Sequence, residues 1–187
     1  MPSNLRDDRQ ELILAKAQFV ICEHGVEAVT MAELAQQTGL SRPAIYQYFS
    51  SREHILAELV INEMADLSNI LDERLAVFED PAEQVRVWVH YTLAHLSNPE
   101  HRSIREISIS ALPEDSRGVI RAMHGYFMSS LIDPLTKMGI SDASRMCHLV
   151  FASVAEAAKR IDAGGEFVYE AASLEKFAMA SIGGVSA

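Results

Sequence analysis

Apolar residues recur at spacings of three and four almost from one end of the chain to the other, and no stretch alternates apolar and polar positions as a strand would. The pattern predicts an all-α protein. A first helix reads from about Asp7 to His24, with acidic residues in its opening turn and an inward stripe of Ile13, Ala17 and Val20. A second starts from Thr30 as N-cap and carries Met31, Leu34, Ala35 and Thr38 on one face; Gly39 then offers the left-handed backbone a C′ position needs. Ser41 caps a third helix, in which Pro43 falls early enough to cost no hydrogen bond. Ser50 and Glu53 have the spacing of a capping box, and from there a long helix runs through Leu56, Leu59, Val60, Met64, Leu67, Leu71 and Leu75.

Further helices follow without interruption. Asp80, Pro81 and Glu83 open one that Ser97-Asn98-Pro99 ends, and Pro99 begins another through Ile104 and Ile107 that Pro113 closes. The next spans Glu114 to Lys137. Another, from Asp142 to Ala163, is capped by Ser141 and stopped by Gly164-Gly165, and a last short helix carries Leu174, Phe177, Ala178 and Ile182. The Asp142–Ala163 helix is apolar nearly all round, which calls for two packing partners. A domain at residues 1–51 and a larger helical domain at 52–187 are expected, with 52–78 as the linking helix.

The stretch around Gly39 is a helix-turn-helix, and its second helix sorts its residues by chemistry. Leu40, Ala44, Ile45 and Phe49 point into a small core. Arg42, Pro43, Tyr46 and Gln47 point outward, a set that suits the major groove: arginine grips guanine bidentately, glutamine reads adenine, and proline touches a thymine methyl. Thr30, Tyr46, Tyr48 and Arg52 are placed to meet phosphates, Arg52 from the first turn of the long helix. With Ser41 at the cap, the DNA-facing candidates are Thr30, Ser41, Arg42, Pro43, Tyr46, Gln47, Tyr48 and Arg52. Ala32 is too small to reach a base.

These residues, together with Ile13-Leu14, Ala17, Phe19 and the turn Glu23-His24-Gly25, resemble the TetR/AcrR family of bacterial transcriptional regulators. The likeness covers roughly residues 10 to 56; Arg52 stands where that family usually has lysine. It implies a three-helix reading head, a double-stranded operator of two inverted half-sites, repression as the usual mode, and release by a small-molecule effector. It also implies a homodimer through the helices at 142–163 and 169–183, and an inducer site in the second domain. There Trp88, Tyr91 and His95 share a helix face, and Met64, Leu67, Ile104, Ile107, Ser108, Met123, Phe127 and Phe151 could converge on it. Apolar walls with a few polar tips describe a ligand pocket and an ordinary core equally well.

Charge complicates this picture. The formal net charge is -10, but residues 1–52 hold five basic and six acidic side chains and residues 53–187 eleven and twenty, so the imbalance of about -1 against -9 leaves the reading head close to neutral. The acidic body motivates an alternative: a helical small-molecule-binding protein with little or no DNA affinity. Enzymatic chemistry has no motif to rest on: the seven histidines include no HExxH, no cysteine–histidine metal spacing occurs, and no phosphate-binding glycine loop is found. No catalytic residue, metal or cofactor is expected. Cys22 and Cys147 read as small buried hydrophobes. No apolar run reaches the roughly 18 residues of a membrane span and the N-terminus is not a secretory signal, so a cytoplasmic protein is expected.

Overall fold

Every regular element among the described residues is helical. The computed structural model describes residues 3–183 and has α1 (Ser3–His24), α2 (Met31–Thr38), α3 (Arg42–Tyr46), α4 (Arg52–Leu75), α5 (Pro81–Ser97), α6 (Pro99–Arg102), α7 (Glu114–Lys137), α8 (Ala143–Asp162) and α9 (Phe167–Gly183). The all-α expectation holds. Short 3-10 turns lie at Val26–Ala28, Ile104–Glu106 and Ile109–Ala111.

The last two turns replace a helix expected to continue from Pro99 through Ile107. Six of the eight residues 103–110 are isoleucine or serine, which give up rotamer freedom in a helix or compete for its backbone bonds. Ile107 and Ser108 are extended instead. The cap of α8 also differs from expectation: Asp142 Oδ1, not Ser141, accepts the Arg145 amide at 3.0 Å. At the other end Gly164 takes a φ of 102°, and the Gly165 amide reaches back to the Arg160 carbonyl at 2.9 Å, closing the helix with a Schellman motif.

The chain divides into two compact units. One holds the residues up to Glu63 together with Pro99–Arg121; the other holds Met64–Asn98 and the residues from Ala122 on. The division falls inside α4 and not at residue 52, and the segment 99–121, read from sequence as part of the second domain, belongs with the N-terminal unit. In the first unit α1 packs on α2 and on the turn that follows it, and α2 packs on α3. Ile13, Ala17, Val20, Leu34, Ile45 and Ile55 are fully buried there. Cys22, expected inside, is exposed near the end of α1, with its sulfur 3.1 Å from Ser103 Oγ.

In the second unit α5, α8 and α9 pack on one another, and their core takes in Leu71, Val85, Trp88, Leu93, Leu131, Leu135, Cys147, Val154 and Ile182. Trp88 stacks on Phe127 with ring centroids 5.1 Å apart and donates from Nε1 to Ser130 Oγ at 2.9 Å, so its one polar atom is satisfied in the interior. Burial pushes the Cys147 thiol up to about 12, far from thiolate formation at neutral pH. Helix α7 carries Pro134 in its interior, buried, so its ladder lacks the amide that would reach the Ser130 carbonyl.

Trp88→Ala should cost about 3–5 kcal/mol, since it removes a fully buried ring and takes from Ser130 Oγ the donor it accepts, leaving that hydroxyl only its bond to the Phe127 carbonyl. Val168→Ala, at a side chain 78% exposed, should stay within about 0.5 kcal/mol. Urea unfolding followed by circular dichroism measures both.

Candidate nucleic-acid interface

The helix-turn-helix is held by local bonds that the sequence spells out. Thr30 Oγ1 accepts the Glu33 amide at 3.0 Å and caps α2; Gly39, with φ 69°, ends it. Ser41 Oγ accepts the Ala44 amide at 3.3 Å and caps α3. Thr38 adds a second tie at the turn, since its hydroxyl donates to the Leu34 carbonyl at 2.6 Å and accepts the Leu40 amide at 3.3 Å.

Burial then separates the faces of α3. Ile45 and Phe49 lie inside with Met31 and Leu34 of α2, while Arg42, Pro43, Tyr46 and Gln47 are exposed and Tyr48 is half-buried. Leu40 and Ala44, expected inside, are half-buried. Tyr46 shows 48% of its surface, a large exposure for an aromatic residue. Regular helix ends at Tyr46, but the Phe49 amide still bonds to the Ile45 carbonyl at 3.0 Å, so Gln47 and Tyr48 are held in a continuing turn. Thr30 and Ser41 are exposed, and each keeps a hydroxyl proton free to donate outward while its oxygen caps a helix.

Arg52 has a structural task that its position did not suggest. Its Nε donates to the Val29 carbonyl at 2.6 Å and its Nη2 to the Val26 carbonyl at 2.8 Å, with Glu27 and Glu53 carboxylates at 3.5 and 3.6 Å. This guanidinium fastens the α1–α2 connection to the start of α4. The Val26 carbonyl opens a 3-10 turn and already accepts the Val29 amide at 3.2 Å, the Val29 carbonyl follows that turn, and a planar fork spans them both. The cap of α4 also moves by one residue. Ser51 Oγ, not Ser50, accepts the His54 amide at 3.3 Å, and both serine hydroxyls reach His54 Nδ1, at 2.8 Å from Ser50 and 3.1 Å from Ser51. Glu53 has its carboxyl held below the usual range, first by its bond to a backbone amide in this first turn and also by Ser51 and Arg52. Arg42 is then the only basic residue between Thr30 and Ser51.

The effector candidates fall into both units. Ile104 and Ile107 are buried in the first, while Ser108 is exposed there and bonds to Ser110 Oγ at 3.0 Å. In the second, Trp88, Phe127 and Phe151 form one aromatic group, Phe127 and Phe151 lying edge to face at 5.5 Å. Leu67 and His95 are buried, and Met64 and Met123 are half-buried. Tyr91 turns to its own neighbours, with His90 edge-on at 5.5 Å and the Arg74 guanidinium 5.2 Å above its ring. Two members of this region were not foreseen: Ser130, which holds the indole, and His124, whose ring lies 5.8 Å from Phe151. Serine and histidine on α7 gave no signal of it, because their partners come from α5 and α8. On α8 and α9, Leu149 and Phe177 are more than half exposed and line a groove of about 520 Å³ with Ala152, Ser153, Glu156 and Leu174.

Residues 13–59 match the family model described as bacterial regulatory proteins, tetR family. Over 90 residues the chain is 33% identical to the nucleoid occlusion factor SlmA of Vibrio campbellii, a stretch covering 46% of this chain and 44% of that protein. Over 83 residues it is 34% identical to the uncharacterized HTH-type transcriptional regulator YfiR of Bacillus subtilis, covering 44% of this chain and 37% of the relative. The chain thus spans less than half the length of the curated relatives it matches. Among solved structures it is similar to the transcriptional regulator FadR from Bacillus subtilis in complex with stearoyl-CoA, with a TM-score of 0.76 and 19% identity over 90% of this chain and 96% of that one. At that identity the likeness is one of fold. No helix among the described residues is long and apolar enough to cross a membrane.

The two arginines should separate in a stability measurement. Arg52→Ala removes two hydrogen bonds to backbone carbonyls, leaving Val26 with the Val29 amide alone, and should lower unfolding free energy by about 1–3 kcal/mol; Arg42→Ala, at an exposed position, should change it by less than about 0.5 kcal/mol. Thermal unfolding of the two variants beside the parent protein decides this.

Proposed function

We propose that this chain, whose residues 13–59 match the model of the tetR family of bacterial regulatory proteins, is a member of that family and a sequence-specific DNA-binding transcriptional regulator. The observation that carries the reading is the exposed set Arg42, Pro43, Tyr46 and Gln47 above a buried Ile45 and Phe49, inside the matched segment. A five-residue helix with that much unpartnered chemistry on one face gains nothing from it in folding, whereas a groove would use each group. Arg42 and Gln47 read base edges, Pro43 lies against a thymine methyl, and Tyr46, Tyr48, Thr30 and Ser41 meet the backbone. Arg52 acts one step removed, by holding the head together.

The regulator works as a homodimer on an operator of two inverted half-sites. Leu149, Ala152 and Phe177, exposed on α8 and α9, supply the apolar face for the second copy, in keeping with the helices 142–163 and 169–183. Two heads then meet half-sites about 34–36 Å apart or a multiple of it. Repression is the mode proposed, with release when a small molecule occupies the helical second unit and favours a conformer of α4 that mis-spaces the heads. The fold it shares with FadR, whose crystal structure holds stearoyl-CoA, supports a ligand in that unit. The protein is read as non-enzymatic and cytoplasmic.

An acidic body and one basic side chain on the reading face also favour a second reading, a ligand-binding protein with little DNA affinity. Fluorescence anisotropy with DNA from upstream of the protein's own gene separates the two, since a regulator prefers it to scrambled DNA. Tyr46→Ala should weaken binding to all sequences alike, whereas Arg42→Ala should cost about 1–3 kcal/mol on the preferred site and flatten discrimination there. Equal affinity of the parent protein for both DNAs would remove the reading.

The dimer has its own test. Phe177→Glu places a charge in the proposed interface, on a side chain 57% exposed within one chain, so it should yield folded monomers by sedimentation velocity and lose tight operator binding. An unchanged dimer would mean that the copies meet elsewhere.

A further inference from the structure

Thr92 on α5 is fully buried, and its hydroxyl has no hydrogen-bond partner among the described residues. A helical serine or threonine has a ready acceptor in the carbonyl four residues back. Ser68, Ser97, Thr136 and Ser153 all take it, at 2.7–2.9 Å. Thr92 does not make the corresponding bond to Trp88. It lies one turn along from Trp88 on the same face of α5, where Trp88 meets Phe127 at 5.1 Å and Phe151 at 6.4 Å, and His124 adjoins both phenylalanines. His124 is neutral at pH 7, since burial and then His148 lower it from its ordinary value. These rings and the hydroxyl bring no charge with them. A charged guest would lose its hydration beside them for no counter-charge, while a neutral ring with one polar group would stack and also satisfy the hydroxyl.

We propose that the effector is an uncharged aromatic compound bearing a hydroxyl or carbonyl group, bound against Trp88 with that group hydrogen-bonded to Thr92 Oγ1. The inference rests on the reading of the second unit as the effector domain.

Trp88 is the only tryptophan in the chain, so its emission reports on the site with no DNA present. Benzyl alcohol and ethylbenzene, which differ by a hydroxyl against a methyl group, are the probes. In the parent protein benzyl alcohol should shift Trp88 emission and bind about tenfold more tightly than ethylbenzene, the factor one neutral hydrogen bond gives. Thr92→Val should abolish that ratio and raise the melting temperature, because an isosteric methyl replaces an unpaired hydroxyl; Thr92→Ser should keep the ratio. No emission change with benzyl alcohol, an unchanged ratio in Thr92→Val, or a Thr92→Val protein that melts lower or fails to fold would overturn the proposal. Anisotropy with operator DNA, run separately, tells failure of this inference from failure of the regulator reading.

Discussion

One guanidinium group holds the helix-turn-helix in register. Arg52 stands at the first residue of α4 and donates to carbonyls at residues 26 and 29, so it joins the connection leaving α1 to the helix that follows the recognition turn. Between these two anchoring points the chain makes α2, the glycine turn and α3, all short. Helices of eight and five residues have little stability of their own. Their orientation depends on burial of Leu34, Ile45 and Phe49 and on this clasp, which fixes the segment at both ends. A lysine would keep the charge but not the fork that spans two carbonyls.

Much of the reading head was legible because its information is local. The caps at Thr30 and Ser41, the left-handed Gly39 and the spacing of Ile45 and Phe49 each involve residues within four positions of one another, and all four take the form the sequence suggests. The clasp made by Arg52 was not legible because its acceptors lie more than twenty residues earlier and are backbone carbonyls, which no side-chain pattern advertises. The segment after Pro99 was misjudged for a related reason: its apolar residues have helical spacing, but isoleucine and serine resist helix, and propensity prevailed over period. Cys22 looked buried from its apolar neighbours Val20 and Ile21, yet it falls on the outer side of their helix.

In the second unit, sequence indicated which residues are apolar but not how they divide their contacts. Helix α8 looked apolar all round. Its buried stripe is narrower, formed by Ala143, Cys147, Val150, Val154, Ala157 and Ala158; Met146, Phe151 and Ile161 are half-buried beside that core, and Leu149 and Ala152 are left outward. An amphipathic helix that satisfies its own core and still exposes a leucine beside an exposed phenylalanine of α9 has a stripe to spare. The candidate ligand residues behave likewise: Trp88, Phe127 and Phe151 do meet, while Tyr91 pairs with Arg74 and His90.

Pro134 lends α7 a property that its length conceals. The residue cannot donate to the carbonyl of Ser130, the same residue whose hydroxyl receives the Trp88 indole, so the rod is one rung short where the aromatic group is moored. Elsewhere along α7, tilting one half against the other would break an intact rung; here that rung was never made. Small displacements of the indole therefore meet a compliant wall, and the flexure they cause is focused on one vertebra of the helix instead of being spread along its spine.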